Sequence, residues 1–304
     1  MVRHALVTGA HGFIGRHVAR HLAAGGAEVT GIGHGDWMSK QWQSWGIANW
    51  INTDIKLQPL LASGVAPDTV IHCAGSGSVG FANEKPHDDF LRNVATTAAV
   101  LEFMRQRVPD ASLVLTSSAA VYGYAARLPI AETAETEPVS IYGAHKLIAE
   151  QLCTLNARLF GTRVAIVRLF SVYGSGLRKQ LLWDACGKIQ RGELAFAGTG
   201  QEQRDWLHVS DAAGLLALAA ENASAICPVV NGGTGVGTRV EEIVKRVSAL
   251  SGKAMTPTFS GTRRPGDPPG QVADISRARS WNWSPNMSCE DGVAEYVRWF
   301  FAHC

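Results

Sequence analysis

The sequence is poor in the features that would tie it to a metal, a membrane or a nucleic acid. Its six cysteines, Cys73, Cys153, Cys186, Cys227, Cys289 and Cys304, are scattered without a CxxC pair. They suit reduced thiols in a cytosolic protein better than a disulfide framework or a zinc site. The ten histidines show no HExxH or other ligand spacing, so no metal is expected. No apolar run approaches the ~20 residues of a membrane span, and MVRHALVTGAHG enters a strand-like run without the architecture of a signal peptide. A formal charge of +2 leaves no basic footprint for nucleic acid or a membrane surface. Long linkers, repeats and low-complexity stretches are absent as well. What remains is a globular balance, 46% hydrophobic and 18% charged, in 304 residues that can bury a large core.

Up to about residue 168, short apolar runs alternate with longer amphipathic ones. Strand-like runs fall at 4–9, 27–32, 50–55, 69–75, 112–118 and 163–170, with helical stretches at 13–26, 89–107 and 142–161. This alternation predicts an α/β fold, a Rossmann-type doubly wound parallel sheet, over residues 1–170. After residue 170, Gly- and Pro-rich pieces (YGSGLRKQ, GTRRPGDPPG) interrupt helices near 179–191, 209–222 and 239–251. They predict a smaller substrate-binding lobe over 171–304, interleaved with the sheet and closing over a ligand at the carboxyl ends of its strands.

The stretch TGAHGFIG places Gly9, Gly12 and Gly15 directly after a strand and at the start of a helix. The first glycine permits the tight turn, the second lets the backbone approach a pyrophosphate, and the third lets the helix pack closely on the sheet. Phe13 and Ile14 complete the turn, and the helix N-terminus offers free N–H groups to phosphate. The context of strand, turn and helix marks a dinucleotide site. With this spacing the chain resembles the extended short-chain dehydrogenase/reductase family, in particular its nucleotide-sugar epimerase and reductase members. The resemblance implies that Asp54 and Ile55 contact the adenine. It implies also that Cys73, Ala74 and Gly75 of HCAG lie beside the cofactor, with Asn93 in the next helix. Singly, Asp54 would also serve as a helix cap and Asn93 as a solvated helix residue; their places in one chain reinforce each other.

One acidic residue is missing where the resemblance leads one to look for it. EVTGIGHGDW has Gly33 and His34 at the end of the second strand, where a carboxylate would hold the ribose hydroxyls of NAD and repel a 2′-phosphate. With that repulsion gone, His34 and Lys40 are read as facing a 2′-phosphate; alternatively Gly33-His34-Gly35 is a loop and Asp36 reaches back to the ribose. The expectation is NADP(H), with NAD(H) left open. Trp37, Trp42, Trp45 and Trp50 are expected to pack this loop.

TSSAAVYG ends a strand-like run, and YGAHK opens a helix that puts Tyr142 and Lys146 on one face. A phenol with its ordinary pKa near ~10 shuttles protons poorly at neutral pH, and a neighbouring ammonium favours the phenolate. Ser118 would hydrogen-bond the same substrate oxygen. Ser118, Tyr142 and Lys146 thus match the family's catalytic set, with Tyr142 and Lys146 also touching the cofactor. Relatives that dehydrate carry an acid after the serine, whereas this chain has Ala119-Ala120. Relatives that combine 3,5-epimerisation with reduction carry a histidine where Ser175-Gly176 stand here. Both chemistries are disfavoured.

Toward the substrate, RLFSVYGSG resembles the family's RxFNVYGP segment, with Ser171 replacing an asparagine that touches the nucleotide diphosphate. GQEQRDWLHVSD maps Arg204 to the diphosphate, and TRRPGD maps Arg264 to the diphosphate and Asp267 to a nucleoside ribose. Ser78 and Arg178 join the substrate set, the latter with Lys179 read equally as a solvated face. The expected protein is a cytoplasmic homodimer acting at C4 of a nucleotide-diphosphate sugar. The leading reading is reduction of a 4-keto-6-deoxy sugar by NADPH. The alternative is a C4-epimerase with tightly bound NAD, and a remote third reading is a non-catalytic dinucleotide sensor.

Overall fold

A computed structural model describes residues 2–253, 256–262 and 266–304. Six strands form where the sequence places them: β1 (His4–Thr8), β2 (Glu28–Gly33), β3 (Asn49–Asn52), β4 (Thr69–His72), β5 (Ser112–Ser118) and β6 (Arg163–Leu169). Beyond them lie β7 (Ser171–Tyr173), β8 (Ala195–Phe196), β9 (Gln203–His208), β10 (Val229–Gly232), β11 (Gly237–Arg239), β12 (Thr258–Phe259) and β13 (Gly270–Gln271). The main sheet runs β10-β6-β5-β4-β1-β2-β3, with every pair parallel. The chain winds outward from β1 to β3 and then crosses back to β4. Between β1 and β4 the order reverses, which opens a crevice beyond the carboxyl ends of the strands.

Both faces of this sheet are covered, which is why its strands read as nearly continuous apolar runs. Successive residues point to opposite faces. Val7, Val114, Ala165 and Val167 pack on one side with helices Phe13–Ala24 and Val209–Glu221. Leu6, Leu113, Leu115, Val164 and Ile166 pack on the other with helices Thr96–Arg107 and Ile141–Phe160. The seventh strand, β10, and the helix Val209–Glu221 come from beyond residue 170, so the second half of the chain completes the first half's sheet. The lobe has its own small sheet, where β9 lies between antiparallel β11 and parallel β13 and also pairs in parallel with β7. Its core joins Leu182, Ile189, Trp206, Ile243, Val247, Tyr296 and Phe300. Tyr296 and Phe300 belong to a last helix, Cys289–His303, capped by Ser288, whose hydroxyl accepts from Asp291 N–H at 3.0 Å.

Helix Ile141–Phe160 is fastened to the sheet by a buried ion pair. Arg168 on β6 grips Glu150 with Nε to Oε1 at 3.0 Å and Nη2 to Oε2 at 2.7 Å, and Ser117 on β5 donates to the same carboxylate at 2.5 Å. Removing one partner of such a pair strands the other charge away from water. Glu150→Ala is therefore expected to lower unfolding stability by about 3–5 kcal/mol, measured by urea denaturation. Glu150→Gln, which can still accept from Arg168, is expected to lose less.

Candidate active site

The turn after β1 is shaped by close approach. Gly9 has φ +68°, and a Cβ on Gly15 would stand 2.3 Å from the Gly9 carbonyl oxygen, so the helix Phe13–Ala24 lies hard against the turn. That helix starts at Gly12 with no side-chain cap and no acidic residue in its first turn. Its N–H groups and positive dipole end are left for an anion. The cradle fits the pyrophosphate of a dinucleotide.

From this turn a cleft of about 970 Å³ runs past the loop after β4, the end of β5, Tyr142 and Lys146, to Arg204, Trp206 and Asp267 of the lobe. Gly9, Gly12, Phe13, Ile14, Gly15, Cys73, Gly75, Ser78, Ser118 and Ser171 also line it. Ala74 lies behind the lining; its N–H donates to Thr8 Oγ1 at 3.2 Å.

Tyr142 stands in the first turn of helix Ile141–Phe160, where Ser140 caps by accepting from Gly143 N–H at 3.1 Å. A Cβ on Gly143 would come within 2.5 Å of the Ala120 carbonyl oxygen. That glycine lets the helix settle on the turn after β5 and brings Tyr142 to Ser118. Burial pushes the Tyr142 phenol up to about 12, against the lowering hydrogen bond from Ser118, and the Asp89 carboxylate adds to the rise. Lys146, one turn on and buried, donates to the Thr116 carbonyl at 3.0 Å; its Nζ lies 6.0 Å from the centre of the Tyr142 ring. Burial pulls this ammonium down to about 8, with Cys73, Asp89 and Glu150 opposing.

The far end of the cradle differs from the expectation for His34. Its Nε2 lies 2.7 Å from Asp54 Oδ1, while Lys56 donates to Asp54 Oδ2 at 2.6 Å. The Lys56 hydrogen bond holds the Asp54 carboxyl below the usual range. His34 is thus paired with a carboxylate while its side chain remains exposed. Ile55 is buried in the core beside it. The tryptophans pack the loop: Trp37 sets its edge against His11 at 4.7 Å and Trp50 at 5.9 Å, and Arg20 lies 3.8 Å over Trp45.

On the substrate side, Arg204 donates through Nη2 to Asp267, so the two residues form one unit. Ser78 caps the helix Val79–Glu84, accepting from Phe81 N–H at 3.2 Å. Arg178 turns away from the cleft; its guanidinium lies 5.9 Å from the Trp183 ring and 6.0 Å from that of Trp299. Its neighbour Lys179 lines the cleft instead, because successive side chains on extended backbone point opposite ways. Arg264 lies outside the described residues. Asn93 donates to Ser76 Oγ and to the Asp89 carbonyl, both at 3.2 Å, and its Oδ1 is buried without a partner. Ser76, Asp89 and His145 join it beside the site. Sequence reasoning did not single these three out, although His145 stands inside YGAHK and Ser76 directly follows HCAG. Among the described residues no group of His, Cys, Asp and Glu is placed to hold a metal ion, and no helix is long and apolar enough to cross a membrane.

Residues 5–231 match the model of the NAD dependent epimerase/dehydratase family. The chain belongs to this family. Among its members, the UDP-glucose 4-epimerase of Azospirillum brasilense is 33% identical, over 95% of this chain and 89% of that protein. The putative UDP-glucose 4-epimerase of Methanocaldococcus jannaschii is 31% identical over 97% of each. The structure of UDP-glucose 4-epimerase from Thermotoga maritima with UDP-glucose has a TM-score of 0.89 at 26% identity, covering 98% of this chain and 99% of that one. The UDP-glucuronic acid 4-epimerase from Bacillus cereus, in complex with UDP-glucuronic acid and NAD, has a TM-score of 0.87 at 27% identity, with coverage of 98% and 99%.

The depressed Lys146 ammonium implies a cost to the fold. Below about pH 8 the lysine is protonated both folded and unfolded, and the folded state bears the burial penalty. As pH rises through 8 toward the ordinary lysine value, the folded state sheds its proton first and the penalty fades. Lys146→Met in the ligand-free protein is therefore expected to raise stability at neutral pH by about 1–3 kcal/mol. The gain should vanish in alkaline solution, as followed by denaturation across pH.

Proposed function

We propose that this family member is a C4-epimerase of a nucleotide-diphosphate sugar that keeps NAD bound through turnover. The observation that carries the choice of cofactor is the His34–Asp54 pair. A 2′-phosphate brought to His34 would meet the Asp54 carboxylate, which its neighbours keep ionised. Ribose hydroxyls meet acceptors and donors there instead. The relatives support the same choice, being named as UDP-sugar 4-epimerases, one of them in complex with NAD. Reduction of a 4-keto sugar by NADPH, the leading expectation from sequence, has no such support.

In this reading Gly9, Gly12, Phe13, Ile14 and Gly15 hold the pyrophosphate, Asp54 and Ile55 the adenosine, and Cys73, Ala74, Gly75 and Asn93 the nicotinamide side. A bound nicotinamide supplies the acceptor for the C4 hydrogen and its return to the other face. Tyr142 takes the proton of the C4 hydroxyl and later gives it back, and Ser118 holds that oxygen by a hydrogen bond. Lys146 favours the phenolate and grips the ribose. Arg204, hydrogen-bonded to Asp267, faces the diphosphate together with Ser171. Ala119 and Ala120 offer no proton carrier, so water is not lost from the sugar. We extend the reading to a dimer: Ile148, Leu155 and Leu159 are exposed on the helix of Tyr142 at spacings that put them on one face.

Freshly purified protein is expected to carry close to one NAD per chain and to interconvert UDP-glucose and UDP-galactose, or their uronic acid forms, without added cofactor. Tyr142→Phe should lose activity by about 10²–10⁴-fold with cofactor content unchanged. An empty protein that binds NADPH far more tightly than NADH would remove the epimerase reading.

A further inference from the structure

Next to the residues that would touch the sugar lies a carboxylate with no surface of its own. Asp89, in the helix Pro86–Phe90, is completely buried. Its Oδ2 accepts from His145 Nδ1 at 2.6 Å, and its Oδ1 accepts from the Ser76 hydroxyl. Asn93 closes the group through its bonds to Ser76 and to the Asp89 carbonyl. His145 occupies the turn of helix between Tyr142 and Lys146. Ser76 belongs to the loop that lines the cleft, where a Cβ on Gly75 would stand 2.6 Å from Asn93 Oδ1 and 3.3 Å from Lys146 Nζ. The loop after β4 and the helix of Tyr142 are thus both tied to one buried carboxylate. Burying a carboxylate is expensive even when it is paired, and a fold that only needed to fasten these segments would be served by neutral groups.

We propose that Asp89, held by His145 and Ser76, is a positioning residue for the reaction. Its negative charge sustains the Lys146 ammonium and sets how readily Tyr142 gives up its proton, and its hydrogen bonds fix the Gly75–Ser78 loop against the helix that carries both. This rests on the roles given above to Tyr142 and Lys146.

Among the described residues, Asp89 is the carboxylate that bears on both Tyr142 and Lys146. From β4 and the loop after it, His72 and Cys73 face Lys146. Burial pulls His72 down to about 3 and pushes Cys73 up to about 11, so both stay uncharged near neutrality. From β5 come the Ser118 hydroxyl and the Thr116 carbonyl, neither of them charged. From the helix itself comes Glu150, which bears on Lys146 but not on Tyr142 and is gripped by Arg168. On Asp89's own element, His87 and Asp88 are exposed, and the nearby Arg92 lies 4.5 Å over the Phe81 ring. The field of Asp89 acts on both Tyr142 and Lys146, raising the proton affinity of each.

The test is the pH profile of kcat/KM, with a second readout that needs no turnover. Removing the charge with Asp89→Asn lets both the phenol and the ammonium lose protons more easily. Both limbs of the bell are expected to move to lower pH by roughly 0.5–1 unit. The ultraviolet tyrosinate signal of Tyr142, taken as the difference from the Tyr142→Phe protein, should move the same way. Ser76→Ala keeps the charge and cuts the tie to the loop, so KM should rise several-fold with both limbs in place. His145→Gln leaves the charge and should not move the limbs downward. Unmoved limbs and an unmoved tyrosinate midpoint in Asp89→Asn would overturn the proposal. If that variant does not fold, an unchanged KM in Ser76→Ala overturns it instead. Full turnover in Tyr142→Phe would sink the catalytic assignment, while the absorbance titration would still report whether Asp89 acts on Tyr142.

Discussion

A positive charge in a dry place organises the centre of this molecule. The Lys146 ammonium is withdrawn from water, and burial alone would strip its proton well below the ordinary lysine range. Everything around it works against that tendency. The Thr116 carbonyl takes one of its hydrogens, and the carboxylates of Asp89 and Glu150 supply negative potential. Two glycines give the room: at Gly75 a side chain would crowd Nζ, and at Gly143 one would lift the helix from the turn after β5. The site is built from close backbone approaches as much as from its named side chains.

The same logic of paired charge recurs away from this centre. Beyond the glycine turn, outside the lining of the cleft, Asp54 is shared between His34 and Lys56, and within the cleft Arg204 is shared with Asp267. Each pair holds its groups in one orientation, so less freedom would be lost on contact with a ligand.

Where the sequence could be read and where it could not follows from distance along the chain. The glycine turn, the strand runs and the face shared by Tyr142 and Lys146 are local patterns, and six strands and the helix of Tyr142 stand where those patterns put them. The His34–Asp54 contact joins residues that follow different strands, so the sequence showed a histidine without its carboxylate. Asp89 and His145 meet across 56 positions, and nothing near either residue announces the other. Arg178 and Lys179 differ by one position, and only the direction of the backbone decides which of the two enters the cleft. Strand β10 is a four-residue run with no period to read, and the last helix had only the short signal SCED at its start.

The strand that carries Arg204 has a further consequence. β9 is the middle of the small sheet, and it passes straight into the helix Val209–Glu221, which covers one face of the large sheet and packs on helix Phe13–Ala24. The chain then returns to add β10 to that sheet's edge. Cut after residue 170, the first half would be left with a bare apolar face and an open strand, and the second half with a strand and a helix that have nothing to pack on. The two halves are therefore inheritable only together. The loops that rim the cleft can vary without disturbing this shared core, whereas one half of the chain cannot be traded for another.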